Sequence, residues 1–210
     1  MKRKKIFKKL LKFTFAAFLL AVIFVGVLLT DASSAKLNYY KLGGGSSILF
    51  YDNKDTEISA DILSNKKPQQ KLNDYTYKAF IAIEDKRFFE HNGIDAKRII
   101  KAAINNIKSF SFKEGASTIT QQLIKNTQLN NKKSLLRKSR EIKLALELEK
   151  AYSKQQILEA YLNNIYFGSG CYGIESASLH YFNKTADELT LNASAALAAI
   201  IKASANYSPF

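Results

Sequence analysis

The chain opens with seven cations, Lys2, Arg3, Lys4, Lys5, Lys8, Lys9 and Lys12, and runs directly into FTFAAFLLAVIFVGVLLT, residues 13–30, which carries no charge. No other feature limits the architecture as much. As a helix this stretch is roughly 27 Å long, close to the thickness of a bilayer's hydrocarbon core. A core helix of a soluble domain is seldom so one-sided in charge. The run therefore reads as a transmembrane anchor, with residues 1–12 a cytoplasmic basic tail and the chain from residue 31 onward facing outward, because cations beside a first span stay inside. A cleaved signal peptide is the other reading, since Ser33 and Ala35 are small residues at a spacing that a signal peptidase accepts. The apolar run exceeds an ordinary signal core, which favours the uncleaved anchor.

Charge bounds the partners. The formal net charge is +14; without the seven tail cations the remainder holds 25 basic against 18 acidic residues. That excess suits an anionic partner such as phosphate or a membrane surface. Nucleic acid fits poorly, because half the excess belongs to the anchor and the domain lies outside the cytoplasm. The single cysteine, Cys171, excludes an internal disulfide and reads as a small packed residue among glycines. The 210 residues suffice for one domain with its own core.

Residues 31–70 read as a tether and short β arm: GGGSS is a flexible spacer, residues 47–62 alternate weakly around a DNKD turn as a small hairpin, and Pro68 marks the boundary. From residue 71 to 210 the pattern is helical. Tyr77, Phe80, Ile81, Ile83 and Phe88 predict a helix over 74–90 with one broad buried face. Asp95 is placed to cap the next helix, another follows STIT, and a third runs from about Ser134 to Tyr152. Ser153 with Gln156, and Thr185 with Glu188, are capping-box pairs. Phe110 and Phe112 alternate with polar residues between lysines, which suits either an ordinary loop or contact with a membrane interface.

Four polar groupings could carry chemistry. In EDKRFFEHNG, residues 84–93, the acidic pair Glu84 and Asp85 alone would pass for a solvated cluster. GASTITQQLIKN, residues 115–126, opens a helix with hydroxyl residues; its free N–H groups and positive dipole end suit an anion. Gln121 and Gln122 lie one turn from Lys125, so amides and an ammonium can present together, although Ser117 or Thr118 could simply cap the helix. In RKSRE, residues 137–141, Arg137 and Lys138 lie a turn before Glu141. The fourth, residues 154–182, joins aromatic helices through a turn containing Gly168, Gly170 and Gly173, a pattern that suits scaffold.

In this order the motifs ED-x-x-F-x-x-H-x-G, G-x-STITQQ-x-x-KN, RK-x-x-E and ILEAYLNNIYFGSGCYGIESAS resemble glycosyltransferase family 51, the peptidoglycan glycosyltransferase domain of class A penicillin-binding proteins and monofunctional transglycosylases. The match runs from about Ala79 to Pro209. The resemblance implies a mainly α, lysozyme-like domain with a small membrane-proximal subdomain, joined by the hairpin arm to one N-terminal transmembrane helix. It implies a membrane enzyme that polymerises lipid II onto a growing glycan chain, inverts the anomeric carbon and releases undecaprenyl pyrophosphate, alongside a separate transpeptidase. By motif position Glu84 corresponds to the general base and Glu141 to a second carboxylate near the leaving group, engaged with a divalent cation such as Mg2+ or Mn2+. Ser117, Gln121, Gln122 and Asn126 correspond to polar contacts, and Lys125, Lys133, Arg137 and Lys138 to charge partners, of the diphosphate. Lys133 stands where arginine is more familiar and lacks its bidentate fork. His91 and Gly93 correspond to residues that shape the turn holding Glu84.

The family pattern continues past NYSPF with a further basic helical segment, so the resemblance leaves a shortened enzyme and a fragment both open. Two other functions share these features. A lysozyme-type hydrolase would use the glutamates on finished glycan, with one carboxyl kept protonated as the acid; the cations after Glu84 argue for a leaving diphosphate instead. A non-catalytic lipid II-binding module would keep the fold and lose turnover.

Overall fold

The computed structural model describes residues 2–42, 50–51, 57–58, 72–109, 115–130, 132 and 134–202, with side chains left undescribed at 2–13, 16, 17, 21, 40, 50, 51, 57 and 58. Eight α-helices are seen among them: α1 Lys2–Ser34, α2 Asp74–Glu84, α3 Ala96–Lys108, α4 Ile119–Gln128, α5 Leu135–Ala151, α6 Lys154–Asn164, α7 Ile174–Phe182 and α8 Leu191–Lys202. Short 3-10 turns occupy Tyr39–Leu42, Phe88–Glu90 and Ala186–Glu188. The protein is mainly helical, and a lysozyme-like helical domain fits this arrangement. A two-residue antiparallel ladder, β1 Phe50–Tyr51 with β2 Glu57–Ile58, pairs Phe50 with Ile58 and Tyr51 with Glu57. The DNKD turn, GGGSS, Pro68, Phe110, Phe112 and the NYSPF end lie outside the described residues. Among the described residues no helix is long and apolar enough to cross a membrane, so the anchor expectation rests on the sequence run within α1.

Helix α4 lies in the middle of the core. Ile119, Leu123 and Ile124 are buried on it and pack with Leu144 and Leu148 of α5 and Ile157, Leu158, Tyr161 and Leu162 of α6. Each such side chain contributes about 1.5–3 kcal/mol when fully buried, so the α4 face holds together the elements on either side. Helix α2 packs on α8, where Thr76 and Ser194 share a buried hydroxyl–hydroxyl bond of 2.9 Å, and Phe80 meets Phe167 edge-on at 5.9 Å.

The helix starts follow local chemistry. Asp95 accepts from Arg98 N at 2.8 Å to cap α3, Ser134 accepts from Arg137 N at 3.0 Å to cap α5, and Ser153 with Gln156 closes a capping box on α6. Two expectations change. The helix foreseen over 74–90 stops at Glu84, because the Asp85 backbone leaves helical space (φ −154°, ψ 75°) as its buried side chain turns toward α4; Phe88 reaches the core from a separate 3-10 turn. The Thr185–Glu188 box closes the short turn Ala186–Glu188, while α8 takes its first-turn bond from Thr190 Oγ1, which accepts from Ala193 N at 3.3 Å.

Candidate active site

Glu84 is the last residue of α2 and is half-buried. Gln122, in the first turns of α4, donates Nε2–H to its Oε2 at 2.7 Å, and Tyr161 of α6 donates its hydroxyl to Gln122 Oε1 at 3.3 Å. A carboxylate only accepts, so the amide nitrogen must face Glu84 and the amide oxygen must face the phenol. Burial above all, and then the neighbouring Glu84 and Asp85, push the Tyr161 hydroxyl well above its ordinary 10.0, which keeps it a donor. Glu84 Oε1 is left without a hydrogen bond to any described residue.

The neighbouring acid has the opposite fate. Asp85 is 1% exposed, and its Oδ2 accepts from Ile119 N at 3.1 Å and from His91 Nε2 at 2.9 Å. One carboxylate thus ties the end of α2 to the N-terminus of α4 and to the His91 turn, favourably oriented toward the helix dipole. Gly93 completes that turn at φ 87°, where a Cβ would fall 3.0 Å from the Ala145 carbonyl oxygen, and its own carbonyl accepts from Thr118 Oγ1 at 2.7 Å. The expectation that His91 and Gly93 shape the turn beside Glu84 agrees with these contacts. Sequence reading passed over Arg98: its Nη1 donates to the Glu84 carbonyl at 2.5 Å, satisfying an orphaned C=O at the end of α2. Only its position one turn after the Asp95 cap hinted at such a reach.

The second cluster gathers where the loop entering α4 meets α5. Glu141 is 2% exposed; Arg137 Nη1 donates to its Oε2 at 2.8 Å and Lys138 Nζ to its Oε1. Lys138 also donates to Ser117 Oγ at 3.0 Å, so the loop leading into α4 and helix α5 meet at one ammonium. Two cations on one carboxylate leave a net positive charge. Arg137 Nε is buried and donates to nothing among the described residues, so the cluster still calls for an acceptor. Lys125, half-buried one turn beyond Gln122, has no ion-pair partner among the described residues, and Asn126 beside it is exposed.

The two glutamines separate. Gln121, foreseen as a diphosphate contact, is 1% exposed and is used within α4: its Oε1 accepts from Thr118 N, and its N donates to Thr118 Oγ1, both at 3.1 Å. Gln122 presents its amide to Glu84. Lys133 lies outside the described residues.

A divalent cation does not fit at Glu141. Both of its oxygens already accept from cations, an unpaired N–H sits alongside, and no group of three His, Cys, Asp or Glu side chains capable of holding a metal occurs among the described residues. A dication placed there would meet like charge on two sides. The donor set suits a phosphate oxygen.

A family model described as Transglycosylase matches residues 56–210. Penicillin-binding protein 1F of Bacillus subtilis (strain 168) is 41% identical over 215 residues, covering 99% of this chain and 29% of its own length. Penicillin-binding protein 1A of Aquifex aeolicus (strain VF5) is 46% identical over 140 residues, 67% of this chain and 19% of its own, and penicillin-binding protein 1A of Escherichia coli (strain K12) is 47% identical over 132 residues, 63% and 16%. The chain thus spans less than a third of the length of these curated relatives.

Proposed function

The chain belongs to the transglycosylase family, and from that premise we propose that it is a peptidoglycan glycosyltransferase that polymerises lipid II into β-1,4-linked glycan in building the cell wall, releasing undecaprenyl pyrophosphate. The observation that carries this reading is that two unlike sites both meet the start of α4, one through Gln122 and one through Ser117. At the first, Glu84 holds a carboxylate with one oxygen free of hydrogen bonds to any described residue. At the second, Lys138, Arg137 and Ser117 form a cradle with an unsatisfied donor, and Lys125 stands on the next turn of α4. The first suits a base and the second a leaving diphosphate.

The chemistry follows from that division. Glu84 takes the proton of the acceptor sugar's 4-hydroxyl as its oxygen attacks the anomeric carbon of the lipid-linked chain. The bond from that carbon to the diphosphate breaks, and its electron pair leaves with the phosphate oxygen, where the cations of the cradle hold the developing charge. Attack opposite the leaving group inverts the carbon. Glu141 holds Arg137 and Lys138 in place, since without it two nearby cations would repel.

The membrane belongs to the same reading. Residues 13–30 are an uncleaved anchor with the N-terminus in the cytoplasm and the catalytic domain outside, because the substrate is itself lipid-borne. Helix α3 supports this: Ile100, Ile104 and Ile107 are exposed at helical spacing, with Lys97, Lys101 and Lys108 among them, a composition that suits an interfacial helix. A separate transpeptidase would cross-link the product.

Glu84→Gln tests the central assignment. Polymerisation should fall at least a thousandfold while lipid II binding stays within about threefold, the range expected when a positioned base is removed. Retained polymerisation would remove Glu84 from the mechanism. Incubation with finished glycan serves as control: shortening of the polymer, with lipid II untouched, would mean a hydrolase.

A further inference from the structure

Helix α5 is gripped on two sides. Arg137, Lys138 and Glu141 form the cradle, while Arg140 between them reaches back to the last turn of α1. Its Nε donates to Asp31 Oδ2 at 2.7 Å, and its Nη2 donates to Asp31 Oδ1, a two-pronged pair across 109 residues of sequence. One turn further along α5, Lys143 Nζ donates to the Ala35 carbonyl and approaches the Ser33 carbonyl at 3.4 Å. The last carbonyls of α1, the negative end of its dipole, are thereby met by a cation. Between these contacts Ala32 is 5% exposed, so backbone and side chain are both seated. The hydrogen bond from Arg140 holds the Asp31 carboxyl below its ordinary 3.8, in keeping with a formed pair.

The level of this contact matters. Asp31 is the first residue after the apolar run, so it marks where hydrocarbon gives way to headgroups on the outer side. Its partner Arg140 is one residue from Glu141 and three from Arg137, so the cradle lies within about one helical turn, roughly 5 Å along α5, of that boundary. A lipid-borne diphosphate sits at the headgroup level and cannot rise without drawing methylenes into water. The protein must bring the cradle to the phosphate.

We propose that Asp31, Arg140 and Lys143 are positioning residues that clamp the membrane anchor to α5 and so hold the diphosphate cradle at the height of the lipid headgroups. This rests on the anchor and glycosyltransferase readings above. It goes beyond them in assigning residues outside the site a role that appears only when substrate is embedded in a bilayer. As a surface ion pair the Asp31–Arg140 contact adds little to folding stability; its consequence is geometric.

The test uses the full-length chain reconstituted in phosphatidylglycerol/phosphatidylethanolamine vesicles containing lipid II, compared with the same protein in detergent and a short-tailed, water-soluble lipid II analogue. Arg140→Ala should raise KM for vesicle-borne lipid II about tenfold with kcat within twofold, and leave both constants for the soluble analogue unchanged. The exchange Asp31→Arg with Arg140→Asp should restore the vesicle KM. Equal losses on both substrates would overturn the proposal, because Arg140 would then act through the cradle itself; so would no loss on either. A distance measurement is independent of turnover. With a fluorophore at Glu90→Cys in a Cys171→Ser background and acceptor-labelled lipid in the vesicle, Arg140→Ala should broaden the domain-to-surface distance, and an unchanged distribution would also overturn it. Failure of the wild type to float with vesicles would defeat the anchor reading and this proposal with it. A vesicle-bound wild type without turnover would defeat the glycosyltransferase reading alone, and the distance would then decide.

Discussion

Gln122 donates Nε2–H to Glu84 Oε2 at 2.7 Å while accepting the Tyr161 hydroxyl at 3.3 Å, so a fully buried phenol on α6 and the carboxylate on α2 together fix the orientation of an amide on α4. Tyr161→Phe removes one of the two groups that fix the amide orientation and leaves the Glu84 carboxylate as the other. Polymerisation should fall about tenfold, because the amide that positions Glu84 loses its anchor on α6. The stability loss should be about 1 kcal/mol, one buried hydrogen bond. The tyrosine's raised value also carries a sign: its neutral form is favoured by folding, so this contribution is present below about pH 10 and lost as pH rises through the folded value. Wild-type polymerisation by the phenylalanine variant would show that Gln122 holds its orientation unaided.

Asp85 should matter for structure where Glu84 matters for turnover. Asp85→Ala would leave Ile119 N–H and His91 Nε2 buried without their acceptor, at a cost of about 3 kcal/mol. Asp85→Asn keeps an acceptor oxygen and should cost less. Urea denaturation should show the ordering, with Glu84→Gln close to wild type. If Asp85→Ala is as stable as wild type, the link from α2 to α4 is not holding the site.

Glu141→Gln removes the charge that holds Arg137 and Lys138 together in a buried setting. Breaking such a pair typically costs about 3–5 kcal/mol, and here the Lys138–Ser117 contact should loosen as well. KM for lipid II should rise together with a fall in kcat. Calorimetric titration of Mg2+ or Mn2+ into the substrate-free protein should show no binding that depends on Glu141. Saturable binding abolished by Glu141→Gln would show that the two cations give way to a metal.

The isoleucine face of α3 should bind lipid. Replacing Ile100, Ile104 and Ile107 together with serine removes apolar surface exposed at 61%, 46% and 73%, and should weaken flotation of the anchor-free domain with anionic vesicles at least fivefold without shifting its denaturation midpoint. Unchanged flotation would assign the face to another partner. Phe110 and Phe112, next along the chain, are a second pair to change in the same assay.

Much of this protein was legible in its sequence because the signals are local. Asp95, Ser134, Ser153 and Gln156 announce helix starts through contacts three residues away, and Arg137, Lys138 and Glu141 share a face because they lie one turn apart. Motif order set Glu84 apart from Asp85 as the expected base, and the structure shows Asp85 buried and tied to α4. What sequence spacing could not separate were groups whose fates depend on distant chain: Gln121 is drawn into its own helix cap while Gln122 meets a carboxylate 38 residues away. The same holds for the break at Asp85, whose side chain is taken by α4 34 residues on, for Arg98, which reaches back to the Glu84 carbonyl, and for the pair of Asp31 with Arg140. A helix repeats every 3.6 residues whatever it packs against, so sequence alone determined where most helices start and which groups share a helix face. Only tertiary packing decided which acid is buried as a structural tie and which stays half-exposed, because that depends on where distant chain, the Ile119 N–H and His91 for Asp85 and the Gln122 amide for Glu84, is brought against each carboxylate.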